Sequence, residues 1–362
     1  MNTLEPFFIS LEVTKRCKKN CVYCRANAKS TSYKNELTTE EYYKLLDDIT
    51  DHFNPIIILT GGDPMEREDI FRIAEHATRT GLHVVLSACG HSYNEENLQR
   101  LKDAGVTRIS LSLDGATPQT HDEISGREGS FDEAMESVEL CRKVDMPFQI
   151  HTTIVKQNFK DAPIILELSR SMGASGYQPF FFVAMGRGSN LADQSIPPEE
   201  YEKLLTWLYE KRLEMDMHYE KGNFSFLDKF ILRPSCAPQF TRIVVQGNEK
   251  LKASNPGGDF SFEETFSGCM GGKTFVFISN TGKVQPCGML EVECGDIRQK
   301  PFSRIWETSN ILQDLRDTSK YKGKCRTCSY LKACSGCRAR AYVRTGDYLE
   351  EDFYCLYNPI NS

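Results

Sequence analysis

The 362-residue sequence contains no apolar run near the ~20 residues that a membrane-spanning helix requires, which argues against a membrane protein. It has no basic excess. Asp and Glu total 50 against 44 Lys and Arg, a formal charge of −6, so nothing points to a nucleic-acid groove. Low-complexity segments and clear internal repeats are also missing. Met1–Val13 carries neither a basic n-region nor a cleavage pattern, so no export signal and a cytoplasmic location are expected. What the chain has is length for two or three domains, an apolar fraction of 40% that allows a sizeable core, and fourteen cysteines. In a reducing compartment, clustered cysteines bind metals or clusters more often than they form disulfides.

From the start to about residue 185, strand and helix patterns alternate. Phe7–Val13, Ile56–Leu59, Leu82–Ala88, Val106–Leu113, Phe148–Ile154 and Tyr177–Val183 read as strands. Capping boxes at Thr38–Glu41 and Ser130–Glu133 open helices, and helices over 68–80 and 94–104 end at Gly81 and Gly105. Such alternation predicts an α/β fold with a parallel sheet. Six units are too few for an eight-stranded barrel, so an open partial (β/α)6 barrel is expected, with function at the strand C-termini. Residues 1–190 form this unit and 191–235 a helical bridge. Residues 236–362 form a small cysteine-rich domain with one readable hairpin, Thr274–Ser279 to Lys283–Pro286.

Cys17, Cys21 and Cys24 follow the first strand as C-x3-C-x2-C. Three thiolates can hold three irons of a 4Fe–4S cluster and leave the fourth open to a ligand. A zinc site with a distant fourth ligand, or simply buried cysteines, is the alternative. Gly61-Gly62-Asp63 follows the second strand; glycines there allow close backbone approach to a ligand, or merely form a turn. Ser87 ends the third strand, and Ser112 and Asp114 share one face of the fourth. Arg127 lies in a polar loop. Cys325, Cys328, Cys334 and Cys337 read C-x2-C-x5-C-x2-C, with Cys355 beyond and Cys236, Cys269, Cys287 and Cys294 upstream. Zinc and iron–sulfur are both open readings of that density.

The triplet, with Tyr23 before its last cysteine, together with Thr60–Pro64 (TGGDP), resembles the radical S-adenosylmethionine (radical SAM) superfamily. The resemblance implies a radical SAM barrel with SAM and a 4Fe–4S cluster on Cys17, Cys21 and Cys24. It also implies SAM contacts from Tyr23, Gly61, Gly62, Asp63, Ser87, Ser112, Asp114 and Arg127. The family more often has Glu where this chain has Asp63. The C-terminal cysteines resemble the SPASM extension. That implies one auxiliary 4Fe–4S cluster on Cys325, Cys328, Cys334 and Cys355 and a second on Cys269, Cys287 and Cys337, with Cys294 or Cys236 as fourth ligand. The last spacing departs from the family's usual x3, and its extra cysteine shortly after the first is absent after Cys269.

Longer stretches, including Gln149–Val155 (QIHTTIV), Ser235–Pro238 (SCAP), Gly288–Asp296 (GMLEVECGD) and Gly336–Tyr342 (GCRARAY), resemble the Ahb-type heme synthase family of the siroheme-dependent pathway. That resemblance implies oxidative decarboxylation of two propionates of Fe-coproporphyrin III to vinyl groups. Electrons would come from a low-potential donor such as ferredoxin or flavodoxin. Cations are then expected for the substrate carboxylates: Arg187, Arg338 and Arg340, with Arg25 and Arg233 as further choices. His121 and His151 are either ligands or ordinary hydrogen-bonded histidines. Three other readings stand beside this one: a radical SAM/SPASM peptide or protein maturase, a sister decarboxylase of siroheme-derived heme or heme d1 synthesis, and a non-catalytic zinc-binding scaffold.

Overall fold

Strand β1 (Phe8–Thr14) sends Ile9, Leu11 and Val13 to one face, fully buried under helices, and Ser10, Glu12 and Thr14 to the other. The computed structural model, which describes residues 4–221, 229–254 and 268–359, repeats this two-sided burial along the chain. The elements run α1 (Thr39–His52), β2 (Ile56–Gly61), α2 (Ile70–Arg79), β3 (His83–Ser87), α3 (Glu95–Asp103), β4 (Arg108–Ser112), α4 (Pro118–Ser125), α5 (Ser130–Lys143), β5 (Phe148–Ile154), α6 (Ala162–Ser171) and β6 (Gly176–Phe181). Strands β1 to β6 lie in sequence order, all parallel. Helices cover the outer face, while the inner face forms a partly polar lumen.

Local chemistry explains most boundaries. The Thr38–Glu41 capping box is formed, and Gly81 follows α2 with φ +96°. The box expected at Ser130–Glu133 is not formed. Gly129, at φ +76°, precedes the helix, and the Asp122 carboxylate accepts from the Gly129 and Phe131 amides at 2.7 and 2.9 Å. Ser130 Oγ instead donates to Ser125 Oγ at 2.8 Å. A carboxylate from the preceding helix has taken the capping role, which local spacing does not reveal.

Beyond β6 come α7 (Pro198–Lys221), β7 (Ile231–Leu232), α8 (Gln239–Ser254), β8 (Phe275–Ile278), β9 (Lys283–Gln285) and β10 (Gly295–Asp296). They do not form a separate sheet. β7 pairs parallel with β6, and β8 pairs parallel with β1 while forming the expected antiparallel hairpin with β9. One ten-stranded sheet, in the order β10-β9-β8-β1-β2-β3-β4-β5-β6-β7, therefore runs through all three stretches of the chain. Among the described residues no helix is long and apolar enough to cross a membrane.

Arg67 joins the front of this structure. Its guanidinium donates to the Val13 and Leu37 carbonyls at 2.8 and 2.9 Å, pairs with Asp69, and lies over the Tyr42 ring. Arg67→Ala is expected to lower stability by about 3 kcal/mol, because it strands two buried carbonyls and a carboxylate. Anaerobic denaturant unfolding measures this.

Candidate functional site

The loop after β1 carries Cys17, Cys21 and Cys24 and is held from several sides by main-chain bonds. The Cys17 amide donates to the Lys29 carbonyl, the Asn20 and Val22 amides to Ser125 and Ile124, and the Arg187 amide to the Cys24 carbonyl, all at 2.9–3.2 Å. The Gly62 and Asp63 amides donate to the Thr14 and Arg16 carbonyls at 2.8 and 2.7 Å. A Cβ on Gly61 would sit 2.3 Å from the Thr14 oxygen, and one on Gly62 2.4 Å from the Arg16 oxygen. The glycine pair thus permits close approach to the cysteine loop itself. Gly62 and Asp63 have spent their N–H groups there, so these amides do not face a ligand.

The three thiols form one group. Burial first, then Asp114, Cys24 and Cys17, push Cys21 up to about 12. Such crowding is costly to ionise without a cation, and a bound metal deprotonates thiols outright. The set fits a cluster with three ligands.

Around this loop the strand ends converge. Asp114, 1% exposed, accepts from the Tyr23 hydroxyl at 2.5 Å and from the Thr153 amide at 2.7 Å. Asp114, expected as a SAM contact, is engaged here by two protein donors. One oxygen anchors Tyr23, and through it the cysteine loop, and the other holds the Thr153 amide. Tyr23 is fixed at its hydroxyl end. Ser87 and Ser112 are half-buried at the ends of β3 and β4. Arg127 pairs with Glu133 of α5.

Asp63 is fully buried. Its Oδ1 accepts from the Met65 amide at 2.9 Å, and its Oδ2 lies 3.2 Å from both Cys89 Sγ and His91 Nδ1. Cys89, which spacing alone leaves as an ordinary residue, packs against Cys17, and its thiol holds Cys17 below the ordinary thiol value. His91 is 1% exposed at its side chain, with Nε2 lacking a hydrogen bond. The only sequence signal for this trio was the position of Ala88–His91 at a strand end. His121 accepts from the Asp114 amide at 2.9 Å and, mainly through burial, titrates near 4; it serves as a neutral acceptor.

The C-terminal cysteines separate into two groups. Cys325, Cys328, Cys334 and Cys355 line one cavity. In the other, burial and then the charges of Cys269, Cys236 and Cys337 push Cys287 well above its ordinary value. Cys236 therefore joins Cys269, Cys287 and Cys337. Cys294, the other choice for a fourth ligand, stands apart: its thiol faces the Val292 carbonyl at 3.8 Å, and its neighbours are Ser309 and Arg316.

The three arginines expected to meet substrate carboxylates each contact protein groups in this structure. Arg187 donates to the Cys21 carbonyl at 2.7 Å and to the Ala28 carbonyl. Arg338, 1% exposed, donates to the Gly336, Tyr348 and Glu350 carbonyls and reaches Cys325 Sγ at 3.9 Å. Arg340, 3% exposed, pairs with Asp352 at 2.9 Å and donates to the Cys236 carbonyl at 2.5 Å. All three are occupied in holding cysteine-bearing loops. Arg25 pairs with Glu12 at 3.1 Å over the Phe277 ring.

Comparison with known proteins places this geometry. The radical SAM superfamily profile matches residues 11–168, and the profile of an iron–sulfur cluster-binding domain, SPASM, matches 269–329. An AdoMet-dependent heme synthase from Methanosarcina barkeri (strain Fusaro / DSM 804) is 41% identical over 357 residues, covering 99% of this chain and 98% of that protein. One from Nitratidesulfovibrio vulgaris (strain Hildenborough) is 39% identical, covering 97% and 92%. In fold, the chain is similar to Streptococcus suis SuiB bound to S-adenosylmethionine, with TM-score 0.71 at 15% identity over 98% of this chain and 78% of that one.

Replacing Cys236 by Ser is expected to remove about four irons per chain, one cluster's worth, whereas Cys294→Ser keeps the wild-type content. Iron and acid-labile sulfide after anaerobic reconstitution are the measurement.

Proposed function

The chain belongs to the radical SAM superfamily, carries its SPASM extension and groups with the AdoMet-dependent heme synthases, and from that premise we propose that it converts two propionate side chains of Fe-coproporphyrin III to vinyl groups, forming heme b. It is an enzyme with SAM and 4Fe–4S clusters as cofactors, which removes the zinc scaffold from consideration. The observation that carries the finer reading is identity of 41% across 357 residues, from barrel through cysteine-rich region, to a protein named for heme synthesis. A shared fold alone would not reach the substrate, because one fold serves many chemistries.

When bound, the cluster on Cys17, Cys21 and Cys24 and its SAM supply a 5′-deoxyadenosyl radical that removes one hydrogen atom from a propionate β-carbon. Loss of CO2 and one further electron then leaves the vinyl group, twice per substrate. The chain's part is positioning. Tyr23 and Asp114 hold the cysteine loop against β4 and β5, and Arg187 ties its middle, at Cys21, to Ala28. Asp63, His91 and Cys89 form a buried polar wall beside Cys17. Rigid placement of reacting carbon against radical is worth several powers of ten in rate. Cys236, Cys269, Cys287 and Cys337 gather where the segments around β7, β8 and β9 meet, and would hold the inner auxiliary cluster as acceptor for the departing electron. Cys325, Cys328, Cys334 and Cys355 would hold the outer one, on the path from a ferredoxin or flavodoxin donor.

The test is anaerobic incubation of reduced holoprotein with SAM and Fe-coproporphyrin III, followed by mass. Two successive losses of the elements of formic acid are expected. Production of 5′-deoxyadenosine beside an unchanged porphyrin would overturn the substrate and leave the superfamily chemistry. Cys17→Ser, Cys21→Ser or Cys24→Ser is expected to abolish 5′-deoxyadenosine formation altogether.

A further inference from the structure

The loop that carries the first three cysteines holds two neighbouring lysines in opposite surroundings. Lys18 is exposed and pairs with Glu66 at 2.9 Å. Lys19, between Cys17 and Cys21, is only 4% exposed, and it forms no ion pair among the described residues. Its amide donates to Cys17 Sγ at 3.4 Å, which fixes the residue beside that sulfur. The buried carboxylates nearby are engaged elsewhere: Asp63 with the Met65 amide, Cys89 and His91, and Asp114 with Tyr23 and the Thr153 amide. A lysine ammonium withdrawn from water is costly without an anion to face it.

The field of Lys19 falls on the cysteine site. Burial pushes Cys21 up to about 12, and Lys19 opposes it. Burial raises Asp114, with Lys19 again acting against the rise. Burial lowers His121 to about 4, and Lys19 adds to the effect. These groups lie on the cysteine loop, just past β4 and in α4, and one buried charge reaches all three. A 4Fe–4S cluster on Cys17, Cys21 and Cys24 is an anion suited to that charge: three thiolates leave it net negative, and accepting an electron makes it more so.

We propose that the Lys19 ammonium is the built-in counter-charge of the cluster on Cys17, Cys21 and Cys24 and sets how readily that cluster takes an electron. Its attraction grows when the cluster is reduced, so Lys19 favours the reduced state and raises the potential. The step is the transfer of one electron from the reductant to the cluster, and Lys19 neither gains nor loses a proton in it. Because the side chain is buried, salt screens this attraction far less than it screens the exposed Lys18. The inference rests on the cluster and not on the porphyrin, so it is independent of the substrate.

The test is an anaerobic redox titration of reconstituted holoprotein without SAM, followed by electron paramagnetic resonance. The signal that SAM alters in wild type marks this cluster, and the auxiliary signals serve as an internal reference. Lys19→Met is expected to lower the reduced-to-oxidised ratio at a fixed potential roughly tenfold, about 59 mV for one electron. Lys19→Arg stays close to wild type, Lys18→Met shifts the potential far less, and the auxiliary potentials do not move. A wild-type potential in Lys19→Met, or an equal shift in Lys18→Met, would overturn the proposal. So would a Lys19→Met variant that loses SAM affinity at an unchanged potential, since the ammonium would then face the carboxylate of SAM. If Lys19→Met does not retain the cluster by iron count, Lys19→Gln is scored in the same way. If both neutral variants lose it, retention in Lys19→Arg supports the counter-charge, and loss there overturns it.

Discussion

Thiolates repel one another, and gathering several of them under a protein surface is unfavourable unless iron balances their charge. This protein makes that gathering three times. Burial raises Cys21, Cys236 and Cys287, and neighbouring thiols raise them further. Without metal Cys21, Cys236 and Cys287 would stay protonated, and nothing in their own chemistry would hold them at ligating distance. The chain therefore positions each group through its backbone. The first loop is tied by amides and carbonyls from β2's end, α4's end and the Cys24–Arg187 contact. These ties run through backbone groups, which do not titrate with the thiols.

A continuous sheet extends that rigidity to the rest. β8 lies beside β1, the strand that delivers the first cysteine loop, and the residues flanking the β8–β9 hairpin include Cys269 and Cys287. β7 lies beside β6 and is followed by Cys236. The inner thiol group is thus locked to the barrel through strand ladders at both of its edges. Electron transfer and substrate placement both depend on fixed separations, and a hinged second domain would not hold them.

The sequence made the local features legible and left the tertiary ones dark. Cys17, Cys21 and Cys24 could be grouped because their spacing is short. Cys325, Cys328 and Cys334 followed for the same reason, and strand periodicity located all six barrel strands. Cys236 and Cys294 could not be ranked by spacing, since each lies far in sequence from its possible partners. Folding decided between them by the β7 ladder. Strand parity shows that Asp114 and Ser112 share a face but not that the Asp114 carboxylate meets the Tyr23 hydroxyl, a contact that only the fold makes. Cys89 offered a single thiol with no near neighbour in sequence; only the parallel register of β2 and β3 brings it to Asp63 and Cys17.

The arginines show the same division most clearly. An arginine in a cysteine-rich segment looks like a substrate cation, but five donors in a rigid fork are equally suited to bracing a loop that has few apolar side chains. Arg340, through Asp352, fixes the Cys337 amide, because Asp352 Oδ2 accepts from both. Arg338 reaches Cys325 Sγ while lying over the Tyr321 ring. Donors near cluster sulfurs favour the more reduced, more negative state. Arginines engaged in this way brace the thiol-bearing segments.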